Sequence, residues 1–407
     1  MVKCYMSHVK CLYFMNRIAI SGLIILLLMI LGTIAAILYA NGYRFEIGGN
    51  GTGNFKFIEG TGLLVATSRP DGARVIVNDH LTTATNNTIN LAPGVYEVKI
   101  EKDGYVGWKK KIIIKIGFVS EANALLIPTA PKLEAVTTIG ISNLIMDATQ
   151  TVLAYNVASN SATKNGIYSL DMSARPLIFL ADTGTQLVND ITVLFSQTKL
   201  TFSPNGKQLL ATFSNGTNYL LDSRVANQTP QDVTNTMLSV ERDWAAQKVT
   251  LNKKFFDSLP RKLAQQAVKY FKDPVPAPVG DRILYTASTS GTLNSVVEPQ
   301  APSVNSTPEQ RNLKSGITYV YDLKEDRNYE IGSGDIRYYW HADGRHLVFA
   351  ENGHVNVVEF DGGNLTTVYE GNFLNNQVFP WPDGTSIGII SRFSAGVPYN
   401  LYRIGLQ

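Results

Sequence analysis

Four histidines follow residue 40, namely His80, His341, His346 and His354, and two carry the most suggestive spacing in the chain. His341 and His346 lie five apart on either side of Asp343-Gly344, a turn sequence that lets them approach each other across a hairpin. A metal centre calls for His-x-x-x-His or carboxylate partners at helical spacing, and no His-Glu-x-x-His run occurs. Histidines flanking a turn are by default surface residues, so neither is assigned as a ligand. Nucleophile signals are equally missing: there is no Gly-x-Ser-x-Gly elbow and no Walker-type glycine loop. Two carboxylates can hydrolyse a glycoside when they converge, but nothing singles out a pair. Asp222, Asp322 and Asp361 recur at the ends of Tyr-rich strands, where a carboxylate is expected to accept hydrogen bonds from the following turn. The reading is therefore non-enzymatic, with no catalytic, metal or cofactor residue assigned. What remains for recognition is aromatic: Trp340 and Trp381 beside turns are the candidate contact residues, with packing against a neighbouring strand as their competing role.

The elements that position these residues are mostly strands. Of 407 residues, 17% are charged, below the roughly 25% usual in soluble proteins, while 33 glycines and 19 tyrosines favour strands and turns. The expected fold class is mainly β. Lys3, Lys10 and Arg17 account for the whole net charge of +3, so residues 18–407 are electrically neutral. That balance argues against a nucleic-acid partner, which is held by a basic footprint.

Ile18 to Leu38 is an uncharged run of 21 residues with thirteen Leu or Ile. At 1.5 Å per residue it matches a hydrocarbon core of ~30 Å. The lipid bilayer is thus the first expected partner, and residues 18–40 are read as a transmembrane signal-anchor helix. The basic residues before it place residues 1–17 in the cytoplasm by the positive-inside rule, and the remainder outside. A cleaved signal peptide would have a shorter apolar core and a small-x-small site. Cys4 and Cys11 both precede the run, so no disulfide staples the exported part and its stability must come from ordinary cores. Residues 41–60 form a glycine-rich linker containing Gly48-Gly49-Asn50-Gly51-Thr52-Gly53.

From residue 61 the hydrophobic period becomes two: Leu64 and Ala66 alternate with Leu63, Val65 and Thr67, and Tyr96, Val98 and Ile100 with Glu97, Lys99 and Glu101. Ser68-Arg69-Pro70-Asp71-Gly72-Ala73 joins two apolar runs, Leu91-Ala92-Pro93-Gly94 precedes the Tyr96 strand, and Lys102-Asp103-Gly104-Tyr105 leads to Trp108. With these motifs, residues 61–128 resemble the PEGA domain family, although Asp71 stands where the family name has Glu. The resemblance implies a small extracytoplasmic β-sandwich without catalytic residues of its own. Lys109, Lys110 and Lys111 are read as a solvated strand face.

Residues 133–407 repeat a unit of turn, apolar strand, turn and Tyr-rich strand ending in Asp. Its clearest copies open at Phe202-Ser203-Pro204-Asn205-Gly206, Trp340-His341-Ala342-Asp343-Gly344 and Pro382-Asp383-Gly384; others run through Ala277-Pro278-Val279-Gly280 and through Asp147 to Asp171. A small sheet with two apolar faces cannot bury both alone, and radial stacking of copies does so. The expected architecture is a β-propeller of about five to six blades, and its Pro-Asx-Gly copies resemble the TolB-like, WD40-like repeats. Two insertions interrupt it: 238–272, of helical composition with eight basic and three acidic residues, and 288–315, rich in Ser, Thr, Asn and Pro and read as a flexible loop.

Together these features predict a membrane-anchored extracytoplasmic binding or scaffolding protein of the bacterial envelope, recognising envelope proteins or cell-wall glycans. An accessory role in export or envelope assembly, and a carboxylate-dependent glycan hydrolase or lyase, are the alternatives.

Overall fold

The structure is a computed structural model that describes residues 22–37, 60–158, 161–173, 184–300 and 302–406. Residues 22–37 form helix α1, and its large apolar side chains are all exposed. No helix among the described residues is long and apolar enough to cross a membrane. The expected cytoplasmic tail 1–17, both ends of the apolar run and the linker up to residue 59 lie outside the described residues. The chain divides into two compact units: Met1–Ile100 with Lys110–Ala124 and Val304–Ser306, and Glu101–Lys109 with Leu125–Ser303 and Thr307–Gln407.

The first unit is built on two antiparallel sheets. One has the order Asn87–Leu91, Gly62–Arg69, Val119–Leu125; the other His80–Ala84, Arg74–Val77, Gly94–Glu101, Trp108–Ile114. Strand periodicity sends alternate residues inward: Leu64, Ala66, Ala122 and Ala124 from one sheet and Val75, Val77, Val98, Ile100, Ile112 and Ile114 from the other are buried. The predicted turn closes as its residue types require. Gly72 takes φ of +69°, Ser68 Oγ donates to Pro70 O at 2.6 Å, and Thr85 Oγ1 accepts the Ala73 N–H at 2.9 Å.

Among the described residues, the second unit contains five successive four-stranded antiparallel sheets, or blades. Blade one comprises Ser142–Met146, Val152–Val157, Gly166–Asp171 and Thr185–Asn189; blade two Lys199–Phe202, Gln208–Thr212, Asn218–Asp222 and Gln231–Asp232. Blade three has Phe271–Pro276, Arg282–Ala287, Ile317–Asp322 and Arg327–Ser333; blade four Tyr339–Trp340, His346–Glu351, His354–Glu359 and Thr366–Glu370. Blade five takes Val378–Pro380, Ser386–Ser391 and Asn400–Gly405 from the end of the chain, and its fourth strand, Leu133–Ala135, from the beginning of the repeat region.

The period of two explains how the blades pack, because alternate residues of each strand face opposite neighbours. On blade one, Leu153 and Tyr155 pack with Trp381 and Leu401 of blade five, while Ala154 and Ile167 pack with Leu209 and Leu221 of blade two. Leu284 and Val320 of blade three meet Leu347 and Phe349 of blade four, whose Val348 and Val357 meet Ile387 and Ile404 of blade five. Between blades two and three the partner is helical. Leu210 and Val233 of blade two bury Val240 of α2 (Met237–Asp257), and Tyr285, Tyr319 and Tyr321 of blade three bury Leu263, Ala267 and Tyr270 of α3 (Arg261–Tyr270). The helical insertion thus packs on one face of blade two and one face of blade three. Leu259-Pro260 separates the helices, since proline is tolerated at a helix start and not within one.

The segment 288–315, predicted to be a flexible solvated loop, is instead tied into blade three. Gly291–Thr292 pairs with Asn312–Leu313, and Leu293 and Leu313 join the blade-three core. Its polar residues serve buried bonds. Asp326 Oδ2 accepts the Val296 and Val297 N–H groups at 2.8 and 2.9 Å, while Oδ1 accepts the Tyr321 hydroxyl and faces Arg311 Nη2 at 3.3 Å. Glu309 in turn binds Arg311 Nε at 2.8 Å and Arg327 Nη1 at 3.2 Å.

Candidate binding site

Two connections meet at one end of blade five. Residues 371–377 enter the blade and residues 392–399 join its second strand to its third. The Ser391 hydroxyl donates to Asn372 O at 2.6 Å and ties them together. Between them lies an open cleft of about 450 Å³ lined by Asn372, Phe373, Leu374, Arg392, Phe393 and Tyr399. The Arg392 guanidinium stands 4.8 Å from the Tyr399 ring centroid, and Phe393, 60% exposed, rests its edge on Tyr402 at 4.7 Å. Flat aromatic faces beside a guanidinium suit a ligand that offers a ring or an apolar face together with a carboxylate or phosphate. Ser394 and Ala395 complete the lining.

The sequence-predicted contact residues lie elsewhere. Trp340 is 2% exposed in the core between blades three and four, its indole N–H donating to Val275 O at 3.0 Å, and Trp381 is 8% exposed between blades five and one. Both therefore pack the blades and are not available as contact residues. Trp340 ends the first strand of blade four and Trp381 follows that of blade five, where a large ring fills the wedge to the next sheet. The three strand-end aspartates do what the sequence predicts: Asp222 accepts from Arg224 N at 2.8 Å, Asp322 from Lys324 N at 3.0 Å and Asp361 from Gly363 N at 3.1 Å.

The histidine turn also departs from expectation. His341 and His346 are 0% and 4% exposed, not surface residues. Register explains this: His341, Ser203 and Trp381 are equivalent, as are His346, Gln208 and Ser386, because each first residue's N–H donates to the carbonyl of the second at 2.9–3.0 Å. Asp343 Oδ1 accepts the Arg345 and His346 N–H groups at 2.8 and 3.0 Å, which leaves Oδ2 facing His341 Nδ1 at 3.1 Å and His346 Nδ1 at 2.7 Å. Burial by itself would raise the Asp343 carboxyl, but the charge of His346 and bonds from both rings outweigh it and hold the group well below the usual carboxylate range. These three side chains place their ligand atoms within 4.8 Å of one another.

The described residues thus form a two-sheet unit and, after it in the chain, five four-stranded sheets with a helical insertion. Residues 61–127 match the PEGA domain family. Among solved structures, a putative TolB from Agrobacterium tumefaciens is similar at 14% identity and a TM-score of 0.20, over 66% of this chain and 73% of that one. TolB from Acinetobacter baumannii is similar at 15% identity and a TM-score of 0.21, over 77% of this chain and 60% of that one. No curated protein sequence matches the chain.

Proposed function

We propose that this protein is a non-enzymatic, membrane-anchored extracytoplasmic binding module that presents the cleft at the end of blade five to an envelope protein or cell-wall glycan. The observation that carries the reading is the cleft itself: exposed Arg392 and Phe393 and half-buried Tyr399 on one connection, facing Phe373 and Leu374 on the other, both held by a packed blade. Loops on a rigid scaffold are where recognition concentrates. Anchoring is supported by the run Ile18 to Leu38 and by the eleven large apolar side chains exposed along residues 22–37, a surface that water solvates poorly and lipid covers well. The PEGA match at residues 61–127 supports an extracytoplasmic address, since that family's resemblance carries the same implication.

The test is a photoreactive amino acid placed at Phe393 in the full chain in living cells, with a second probe at exposed Leu238 of α2 as control. A discrete adduct from Phe393 alone, to protein or to wall polymer, is the expected result. Identical adducts from both positions, or none from Phe393, would remove the cleft as the recognition surface. Incubating the purified full chain with wall glycans tests the non-enzymatic part: turnover abolished by substituting a carboxylate would establish the lyase or hydrolase alternative.

A further inference from the structure

We propose that the turn of blade four is a metal site, in which His341, Asp343 and His346 hold one divalent cation of the zinc class. Two nitrogens and one carboxylate oxygen form a donor set that suits zinc and its neighbours, which accept imidazole and carboxylate together.

The hydrogen bonds around the cluster carry the inference. His341 Nε2 lies 3.0 Å from Gly384 O and Nδ1 3.1 Å from Asp343 Oδ2, both acceptors, so a neutral ring with its single N–H satisfies one of the two and not the other. With the proton on Nδ1 it bonds Asp343 and leaves Nε2 against Gly384 O; with the proton on Nε2, Nδ1 and Oδ2 stand acceptor against acceptor. The Asp343 N–H stands 3.4 Å from Nδ1, too long to settle a fully buried nitrogen. A cation bound to Nδ1 and Oδ2 resolves that opposition. A carbonyl bound to the distal ring nitrogen is also the usual support for a metal-bound histidine, because it fixes the tautomer and ring orientation. Asp343 is equally prepared: Oδ1 is held by two backbone N–H groups, and Oδ2 is turned toward both rings.

Donors in a tetrahedral zinc site with bonds of about 2.0–2.1 Å stand about 3.3 Å apart. The 3.1 Å contact already has that spacing, and the 2.7 Å contact between His346 Nδ1 and Oδ2 opens by roughly half an ångström when the metal replaces the shared proton.

Comparison between blades argues the same way. At the equivalent turn of blade two, Ser203, Asn205 and Gln208 close the same hairpin with neutral groups: Ser203 Oγ accepts the Gln208 N–H at 2.9 Å and donates to Asn205 Oδ1 at 2.8 Å. The hairpin therefore does not need two histidines and a carboxylate to fold. Blade two also supplies the controls, because His341→Ser, Asp343→Asn and His346→Gln install residues that already close this turn.

The experiment uses the untagged full chain in detergent, stripped with a chelator, dialysed and titrated with Zn²⁺ by calorimetry and with Co²⁺ by visible absorption. The expected result is one equivalent of Zn²⁺, a Co²⁺ ligand-field spectrum that Zn²⁺ displaces, and a melting temperature that rises with metal until the site fills. His346→Gln should weaken binding at least tenfold, and the triple variant should abolish the spectrum while melting cooperatively. If the stripped wild type takes up no more Zn²⁺ than the triple variant, or both show the same Co²⁺ spectrum, the proposal fails and a proton holds the cluster.

Discussion

Asp326 offers the most discriminating test of how the blade-three insertion is held. Its carboxylate accepts four bonds: two from Val296 and Val297 N–H, one from the Tyr321 hydroxyl and one from Arg311. The residue has φ of +49°, which asparagine tolerates, so Asp326→Asn leaves the backbone unstrained and isolates the side-chain chemistry. An amide has one accepting oxygen, and in either orientation its NH2 group faces two donors that it cannot satisfy. Each buried donor left unmet costs about 1–3 kcal/mol, and losing the charge opposite Arg311 adds to this, so the substitution should cost about 2–5 kcal/mol. Urea unfolding followed by tryptophan fluorescence reads that loss, and trypsin reads its location. Arg311 and Lys314 should become cleavable in Asp326→Asn well below the unfolding midpoint, while the wild type resists.

A pH series sharpens the test. Burial raises the Asp326 carboxyl, but the Tyr321 hydroxyl, the two backbone N–H groups and Arg311 outweigh it, so its folded-state pKa lies below the ordinary value. A depressed carboxylate stabilises the fold fully above its unfolded pKa of about 3.9, and that stabilisation disappears as pH falls through the folded-state value. Wild type should thus lose stability on acidification more steeply than Asp326→Asn. Equal midpoints within about 0.5 kcal/mol, parallel acid limbs and unchanged trypsin resistance would refute the claim that this carboxylate anchors the insertion.

The packing makes further predictions. Trp340→Ala should cost about 3–5 kcal/mol by leaving a cavity between blades three and four, visible as a lowered urea midpoint, whereas a contact residue would leave the midpoint in place. Leu263→Ala, at a fully buried position of α3, should cost about 2–5 kcal/mol and expose blade three to a hydrophobic dye. Phe393→Ala, at an exposed position, should shift the midpoint by less than about 0.5 kcal/mol while abolishing the adduct formed from a photoreactive probe at Tyr399.

The strands were legible because each strand's two faces meet different neighbours, so the period of two survives in the residues themselves. Leu209 and Leu210, side by side in the chain, face blade one and α2 respectively. The turn chemistry of Gly72 and of Asp222, Asp322 and Asp361 was legible for a similar reason, since it is satisfied within a few residues. What failed was everything decided by distant partners. Polarity made 288–315 look solvated, yet Glu309 and Arg311 are spent on Arg327 and Asp326. Aromatic character made Trp340 and Trp381 look like contacts, but their repeat positions put them between blades. The place of α2 and α3 depends on side chains of blades two and three that lie outside the insertion, and no local pattern encodes that. His341 and His346 were recognisable as a pair, and aligning them with Ser203 and Gln208 is the signal that would have placed them inside. Phe393 carried no signal beyond an aromatic between two strands.

The central claim is topological, and the chain is well suited to test it because its only cysteines, Cys4 and Cys11, both precede the apolar run. Leu238→Cys adds a thiol at a position that is 78% exposed on α2. A membrane-impermeant maleimide applied to intact spheroplasts should label Leu238→Cys at once and reach Cys4 and Cys11 only after permeabilisation. Labelling of the native cysteines in sealed cells, with Leu238→Cys protected until lysis, would contradict the account.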